Sequence, residues 1–279
     1  ADVQQLHNIY DVEAKELEPW RESPAEIAQD DWRDFLGEPA YQRAYVDFFE
    51  DALALRHNYQ WKGVVEEYMY GGKEPLINCL IGGQALGMAA TQYNFLHKYL
   101  DDDSYSKPSS IEPSSPLELL SKLRSDNRID GAFKESGPEN IGPLFQKYED
   151  IVLDYWNAWT LDDPVKDFEL SQEAAVAMLI ATVPPGTHSY NFFLCHVLTT
   201  SHAVRILLPF IPSEFRINLV RQWWLFALAV YIAELRPKID PDYIKPEDVA
   251  GKQWNYVEDK ALNGPYATDA HFVKGKTTY

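Results

Sequence analysis

Apolar residues recur every three or four positions along most of the chain, which is the spacing of one face of an α-helix. The clearest apolar stripe, in residues 41–57, consists of Tyr45, Phe48, Phe49, Ala52 and Leu53. Alternation of apolar and polar positions, which would indicate strands, is almost absent. The pattern therefore predicts an all-α fold.

Helices are predicted wherever this period runs without interruption by proline, glycine or serine clusters. The predicted ranges are 41–57, 61–70, 75–100, 117–123, 144–159, 171–182, 191–208, 212–235 and part of 246–262. Ser171 and Ser213 stand just before apolar runs, so we expect them to cap the helices that begin there.

Two stretches lack the helical period. Residues 101–116 read DDDSYSKPSSIEPSSP, and residues 125–143 contain three glycines and two prolines. Serine, proline and glycine in such density are typical of irregular chain. We expect long irregular loops around 101–116 and 125–143, within a single multi-helical domain that spans residues 1–279.

Composition and charge narrow the class of protein. The 279 residues are 46% apolar and carry a net charge of −18, which repels phosphate backbones and anionic lipid. The apolar run 222–233 is too short to span a bilayer. We expect a cytoplasmic protein that binds neither nucleic acid nor membrane, with two free cysteines and no secretion signal. Assembly into a homo-oligomer is left open.

The sequence lacks the motifs of several common cofactor-binding and metal-binding sites. No G-x-G-x-x-G follows a strand pattern, so no flavin or nicotinamide cofactor is expected. No H-E-x-x-H occurs, and none of the seven histidines has a glutamate three residues earlier, which a di-iron bundle requires. The aromatic content of 14% suits a flat ligand, although most aromatic residues are expected to fill the core.

The segment SYNFFLCHVLTTSHAVRILLP holds two histidines on one predicted helix. His196 shares a helical face with Phe192, Phe193 and Thr200, whereas His202 lies roughly 240° further round at about 100° per residue. The two cannot face one pocket together. His196 is either a core histidine satisfied by a backbone carbonyl or the base of an aromatic pocket.

A second pair of candidate site residues lies near the C-terminus, in the segment TDAHFVK. His271 and Lys274 are three residues apart and share a face if the segment is helical. Such a lysine could act as a base, bind an anion or, once carbamylated, offer a carboxylate to a metal. An exposed tail with ordinary polar residues is the competing interpretation.

At these residues the chain resembles the questin oxidase-like family. Residues 191–209 are similar to its aromatic-aromatic-Leu-x-His segment, and TDAHFVK resembles its D-x-H-x-x-K motif. The early segments IYDVEAKELEP and WRDFLG also resemble family signatures. The resemblance implies oxidative cleavage of an anthraquinone-type aromatic polyketide by dioxygen, in a Baeyer–Villiger-like or dioxygenase-like reaction of secondary metabolism.

Site residues follow from the same resemblance. It implies His196, His271 and Lys274 as inherited catalytic residues. We add His202 as a candidate catalytic residue, and Phe192, Phe193, Thr200 and Asn78 as candidate substrate-binding residues. Where the family commonly has His-Pro-Leu-Ile-His, this chain has Glu74-Pro75-Leu76-Ile77-Asn78, and a histidine-rich N-terminal segment is also missing. An implied single iron ion would be bound by His196, His271, carbamylated Lys274 and Glu74.

Three hypotheses result. The first, which we favour, is an oxygenase or oxidase that needs no cofactor, in which His196 or His271 removes a phenolic or enolic proton from the polyketide. The second is an iron enzyme with the altered ligand set. The third is a non-catalytic helical binding or accessory protein, and a non-redox polyketide cyclase or dehydratase that uses the same pocket is a further alternative.

Overall fold

A computed structural model of the protein describes residues 23–70, 95–185, 187, 190–244, 251–265 and 267. Every regular element in these ranges is a helix, and none of the described residues forms a strand, which confirms the all-α prediction. The chain divides into two compact units, Ala1–Asp102 and Asp103–Tyr279. A single domain over 1–279 stays a prediction.

The first unit contains two helices that each end in a π-helical turn. Helix α1, Gln42–Asp51, continues into Ala52–Arg56, and α2, Trp61–Val65, continues into Glu66–Tyr70. These elements confirm the predicted helices at 41–57 and 61–70. The predicted apolar stripe packs inward in an aromatic core that contains Trp32, Tyr45, Phe48, Phe49 and Tyr68.

The short helix α3, Lys98–Asp101, ends this unit after a 3₁₀ turn at Phe95–His97. It coincides with the end of the helix predicted at 75–100. The rest of that prediction, residues 75–94, lies outside the described part of the chain.

The second unit is built around one buried helix. Its helices are α4 (Pro116–Arg124), α5 (Ile141–Lys147), α6 (Glu149–Ala158), α7 (Pro164–Ile180), α8 (Phe192–Leu207), α9 (Ser213–Ala233) and α10 (Trp254–Asn263). Helix α9 buries 12 of its 21 residues and packs against α5, α6, α7 and α8. No helix in the described ranges is long and apolar enough to cross a bilayer.

Helix α7 begins earlier than the sequence pattern predicted. The Asp163 side chain accepts hydrogen bonds from the backbone N–H groups of Val165 and Lys166, and Pro164 occupies the first turn. Ser171 is a buried mid-helix residue whose hydroxyl donates to the Phe168 carbonyl at 2.6 Å. The prediction that Ser171 caps this helix is wrong, because the polar first turns of α7 concealed its true start.

Two further boundaries differ from prediction. Ser213 is the first residue of α9 and makes no capping hydrogen bond, because Pro212 occupies the cap position. The helix predicted at 144–159 is two helices, α5 and α6, which are separated at Tyr148, where φ is −131°.

The two predicted loops are irregular apart from short 3₁₀ turns, but their bounds differ slightly from prediction. Asp101 is the last residue of α3, Pro116 is the first of α4, and α5 already begins at Ile141. A carboxylate on α6 fastens the first loop: Asp154 accepts hydrogen bonds from the Ser110 backbone N–H at 2.8 Å and hydroxyl at 2.6 Å. In the second loop, Arg128 forms ion pairs with Asp126 at 2.6 Å and with Asp154 at 3.3 Å. The Asp154 carboxylate therefore links both loops to α6.

We predict that Asp126→Asn destabilises the protein in a pH-dependent way. Hydrogen bonds from Arg128 lower the pKa of Asp126 from 3.8 to about 2, so its stabilising contribution is present above pH 3.8 and is lost as pH falls toward 2. Because Arg128 is 45% exposed, we expect a loss of only about 1–2 kcal/mol at neutral pH. Chemical denaturation measured at a series of pH values tests this.

Asp162→Asn is the matched control, since it removes an exposed carboxylate for which no side-chain hydrogen bond or ion pair occurs among the described residues. An equal loss of stability for Asp126→Asn at neutral and acidic pH would contradict the electrostatic explanation.

Candidate functional site

The N-terminus of α8, where the predicted site lies, is fixed by Asn191. Its side-chain carbonyl caps the helix by accepting from the Leu194 backbone N–H at 2.9 Å. Its amide donates to Glu234 at 2.5 Å, and Glu234 directly follows the last residue of α9. The start of α8 is thus tied to the end of α9 through a hydrogen bond to a carboxylate.

Packing on α9 determines which face of α8 points outward. Val197, Leu198 and Val204 are buried, and the Trp223 indole N–H of α9 donates to the Val197 carbonyl at 3.3 Å. The other face carries Phe192, which is 60% exposed, and the half-buried His196. The predicted base therefore lies at the surface of the second unit, outside its core.

The hydrogen bond of His196 defines its tautomer. Imidazole Nδ1 lies 2.8 Å from the Phe192 carbonyl oxygen, which can only accept, so Nδ1 carries the proton. In the neutral ring the basic lone pair is then on Nε2. The Phe192 ring meets the imidazole edge-on, with centroids 4.6 Å apart and planes at 84°. These contacts place a nitrogen base beside an exposed aromatic surface.

His202 has the opposite protonation pattern. Arg205 Nη2 lies 3.0 Å from its Nδ1, and a guanidinium can only donate, so Nδ1 accepts and Nε2 carries the proton of the neutral ring. Burial, together with the charge of Arg205, lowers the pKa of His202. Its predicted catalytic role is untested, but this geometry makes it a hydrogen-bond donor.

The remaining α8 residues predicted to bind substrate flank His196. Phe193 contacts Phe226 of α9 edge-on, with centroids 6.4 Å apart. The Thr200 hydroxyl donates to the His196 carbonyl at 2.7 Å, so its oxygen keeps lone pairs that can accept from a ligand. Aromatic and small polar groups thus surround the base on this part of α8.

Sequence reasoning missed Gln222, one turn before Phe226 on α9. Its Oε1 atom is buried and has no hydrogen-bond partner in the described structure. Leaving such an acceptor unsatisfied costs about 1–3 kcal/mol, which a ligand hydroxyl would offset. The only sequence signal was one amide inside the apolar run QWWLFALAVYIA.

Four predicted residues lie outside the described part of the chain: Glu74, Asn78, His271 and Lys274. Their roles as base, ligand or substrate contact stay predictions. Within the described ranges, no three His, Cys, Asp or Glu side chains are grouped closely enough to bind a metal ion.

The first unit contains a second histidine cluster that sequence reasoning also missed. His57 Nε2 lies 2.5 Å from Glu67 Oε2, and Gln29 links Glu67 to the Tyr68 hydroxyl. Burial opposes ionisation of Glu67, but the hydrogen bond from His57 and the charge of Arg56 together hold its pKa below the usual value. His57 and Glu67 adjoin the two π-helical turns, a feature that is frequent at functional sites.

Packing distinguishes this cluster from the His196 site. A Cβ atom added at Gly63 would overlap His57 Nδ1, so one ring nitrogen is closed off by backbone while the other bonds Glu67. A cavity of about 1020 Å³ lies beside the cluster, but its walls include Gln29 and Arg56 without the histidine. His57 is therefore a structural clamp between two segments, whereas the His196 ring bonds through Nδ1 to the Phe192 carbonyl of its own helix.

The fold and the site define an all-helical protein that carries a histidine beside an exposed phenylalanine. The family model described as questin oxidase-like matches residues 1–84 and 83–276. The chain belongs to the questin oxidase-like family, whose name indicates oxidase activity. No curated protein matches the chain significantly.

We predict opposite neutral tautomers for the two histidines of α8. Long-range ¹H–¹⁵N spectra at about pH 8, where imidazole is neutral, should show His196 protonated on Nδ1 and His202 on Nε2. His196→Gln and His202→Gln spectra supply the assignments. Protonation of His196 on Nε2 would contradict the contact with the Phe192 carbonyl.

Proposed function

We propose that the protein is an oxidoreductase that uses dioxygen to oxidise a flat aromatic polyketide of the anthraquinone type, with His196 as a general base and without flavin. One observation carries this proposal: the Phe192 carbonyl holds Nδ1–H of His196 at 2.8 Å, which places the basic lone pair on Nε2. Membership of the questin oxidase-like family supports the reaction class.

The first step is proton transfer. His196 Nε2 takes the proton of a phenolic or enolic O–H group, and the electron pair of that bond delocalises into the ring. Phe192, which is 60% exposed and edge-on to the imidazole, offers a surface for the flat ring. A carbon of the electron-rich anion then forms a bond to dioxygen, which accepts the electron pair and takes the proton back from His196 to give a substrate hydroperoxide. Dioxygen is thus the oxidant, and no bound redox group is required.

Two polar groups would orient the substrate. Gln222 Oε1 is a buried acceptor that a substrate hydroxyl can satisfy, and it lies one turn from Phe226, the partner of Phe193. Thr200 can accept a second hydrogen bond through its hydroxyl oxygen. A rigid ring that carries hydroxyl groups can donate to these fixed acceptors. A ligand without hydroxyl groups would leave the buried acceptor unpaired and would bind more weakly.

The same geometry also suits a metal ligand, since metal-binding histidines commonly donate their other N–H to a carbonyl. His196 would then provide Nε2 to an iron ion, with His271, carbamylated Lys274 and Glu74 as the further ligands that the family resemblance implies. Iron bound there would supply dioxygen activation, while Phe192 would still hold the ring.

We predict that His196→Ala and His196→Gln lower hydroxyanthraquinone-dependent oxygen uptake by about 10²–10⁴-fold, the usual contribution of a general base. Ile206→Ala is the control, because it shortens another exposed side chain of α8. Oxygen-electrode assays at saturating substrate measure the effect. Unchanged uptake in both His196 variants contradicts the proposal.

Metal dependence is predicted separately. Protein purified without chelators should retain oxygen uptake in the absence of stoichiometric iron, as determined by elemental analysis. One iron per chain, with uptake that is lost on chelation and restored by Fe²⁺, would replace the cofactor-free mechanism by the iron mechanism. Tight binding of a hydroxyanthraquinone without any oxygen uptake would favour a binding protein.

A further inference from the structure

Arg221 of α9 lies on the side of the helix that faces α6. Its guanidinium carbon is 3.7 Å from the centre of the Trp156 ring, which is 1% exposed. The Trp156 indole N–H in turn donates to the Arg221 carbonyl at 2.8 Å. The ring therefore covers one face of the cation and is itself fixed by the same residue.

Two hydrogen bonds fix the orientation of the guanidinium. Nη2 donates to Asn157 Oδ1 at 2.9 Å and to Ser106 Oγ at 3.3 Å. The Asn157 amide donates to the carbonyls of Tyr105 at 3.0 Å and Leu153 at 2.9 Å, so its Oδ1 atom is held toward Arg221. These contacts within the protein pre-organise the Arg221 guanidinium.

The charge of Arg221 has no carboxylate partner in the described parts of the chain. Arg43, Arg128 and Arg236 have one. Within those parts Arg33, Arg124 and Arg205 also lack one but are exposed to solvent, and the half-buried Arg216 donates to the Ile211 carbonyl. The difference is notable because the chain has 43 acidic and 25 basic residues. Burial lowers the pKa of Arg221 to about 10, so it remains a cation at neutral pH.

Arg221 also has unused donors. The N–H groups on Nε and Nη1 make no hydrogen bond to described residues, whereas both bonds already made come from Nη2. Ser106 accepts from Nη2 and can donate its own hydroxyl proton to a bound group. A small oxyanion is bound well by a half-buried positive charge with fixed hydrogen-bond donors. Arg221 provides the charge and the N–H donors, and Ser106 adds a hydroxyl.

We propose that Arg221, Trp156, Asn157 and Ser106 form a binding site for a small oxyanion, either a carboxylate or a phosphoryl group. The site faces α6, whereas Trp223 of the same helix faces α8 and donates to the Val197 carbonyl. The site therefore lies on a different side of α9 from the contact with the helix that carries His196. It does not depend on the proposed oxidase activity. If Arg221 served only to fasten the loop at Ser106, added anions would leave it unchanged.

The test follows the arginine Nε–H signals of the full chain by NMR, during separate titrations with inorganic phosphate and acetate at constant ionic strength. We expect a saturable shift of the Arg221 signal, assigned through its loss in Arg221→Lys, with the other arginine signals unmoved. The anion that produces the shift identifies the ligand class. No saturable shift with either anion, or a uniform shift of all arginines, overturns the proposal.

Variants provide an independent measurement. Arg221→Gln should weaken binding of the effective anion at least about tenfold, or about 1.4 kcal/mol, as measured by calorimetry. Arg43→Gln removes the same charge from an exposed ion pair and should bind as the wild type does. Equal weakening in both variants would indicate non-specific attraction and would overturn the site. If Arg221→Gln fails to fold, the wild-type titration alone decides.

Discussion

Burial of α9 is the constraint on which the second unit depends. Its two tryptophans and Tyr231 are all at most 3% exposed, and each such side chain contributes roughly 1.5–3 kcal/mol on burial. The indole N–H groups still need acceptors, and the acceptor of Trp223 is the Val197 carbonyl of α8. This bond fixes α8 against α9, and the hydrogen bond between Asn191 and Glu234 fixes its N-terminal end. The face of α8 that carries His196 therefore points outward.

The opposite sides of α9 support two different kinds of site. Toward α8, packing leaves the His196 imidazole beside exposed Phe192, which suits proton transfer from a flat, apolar substrate. Toward α6, Arg221 stacks on Trp156 and has no carboxylate partner among the described residues. A helix held from both sides keeps each group in place, which is the pre-organisation that binding and catalysis require.

Periodicity predicted the helices and loops because burial of one helical face repeats every three or four residues. It missed the start of α7, since the signal there was the local pair Asp163–Pro164 and not an apolar stripe. Helical arithmetic separated His196 from His202 correctly, but their tautomers depend on Arg205 and on the Phe192 carbonyl. The stack of Arg221 on Trp156 joins residues distant in sequence, so no local pattern could reveal it.

A crystal structure of the protein with a bound hydroxyanthraquinone tests the central claim most directly. The account predicts a phenolic oxygen within hydrogen-bond distance of His196 Nε2, with the ring against Phe192. A ring bound elsewhere, with His196 Nε2 remote from every oxygen of the ligand, would contradict it.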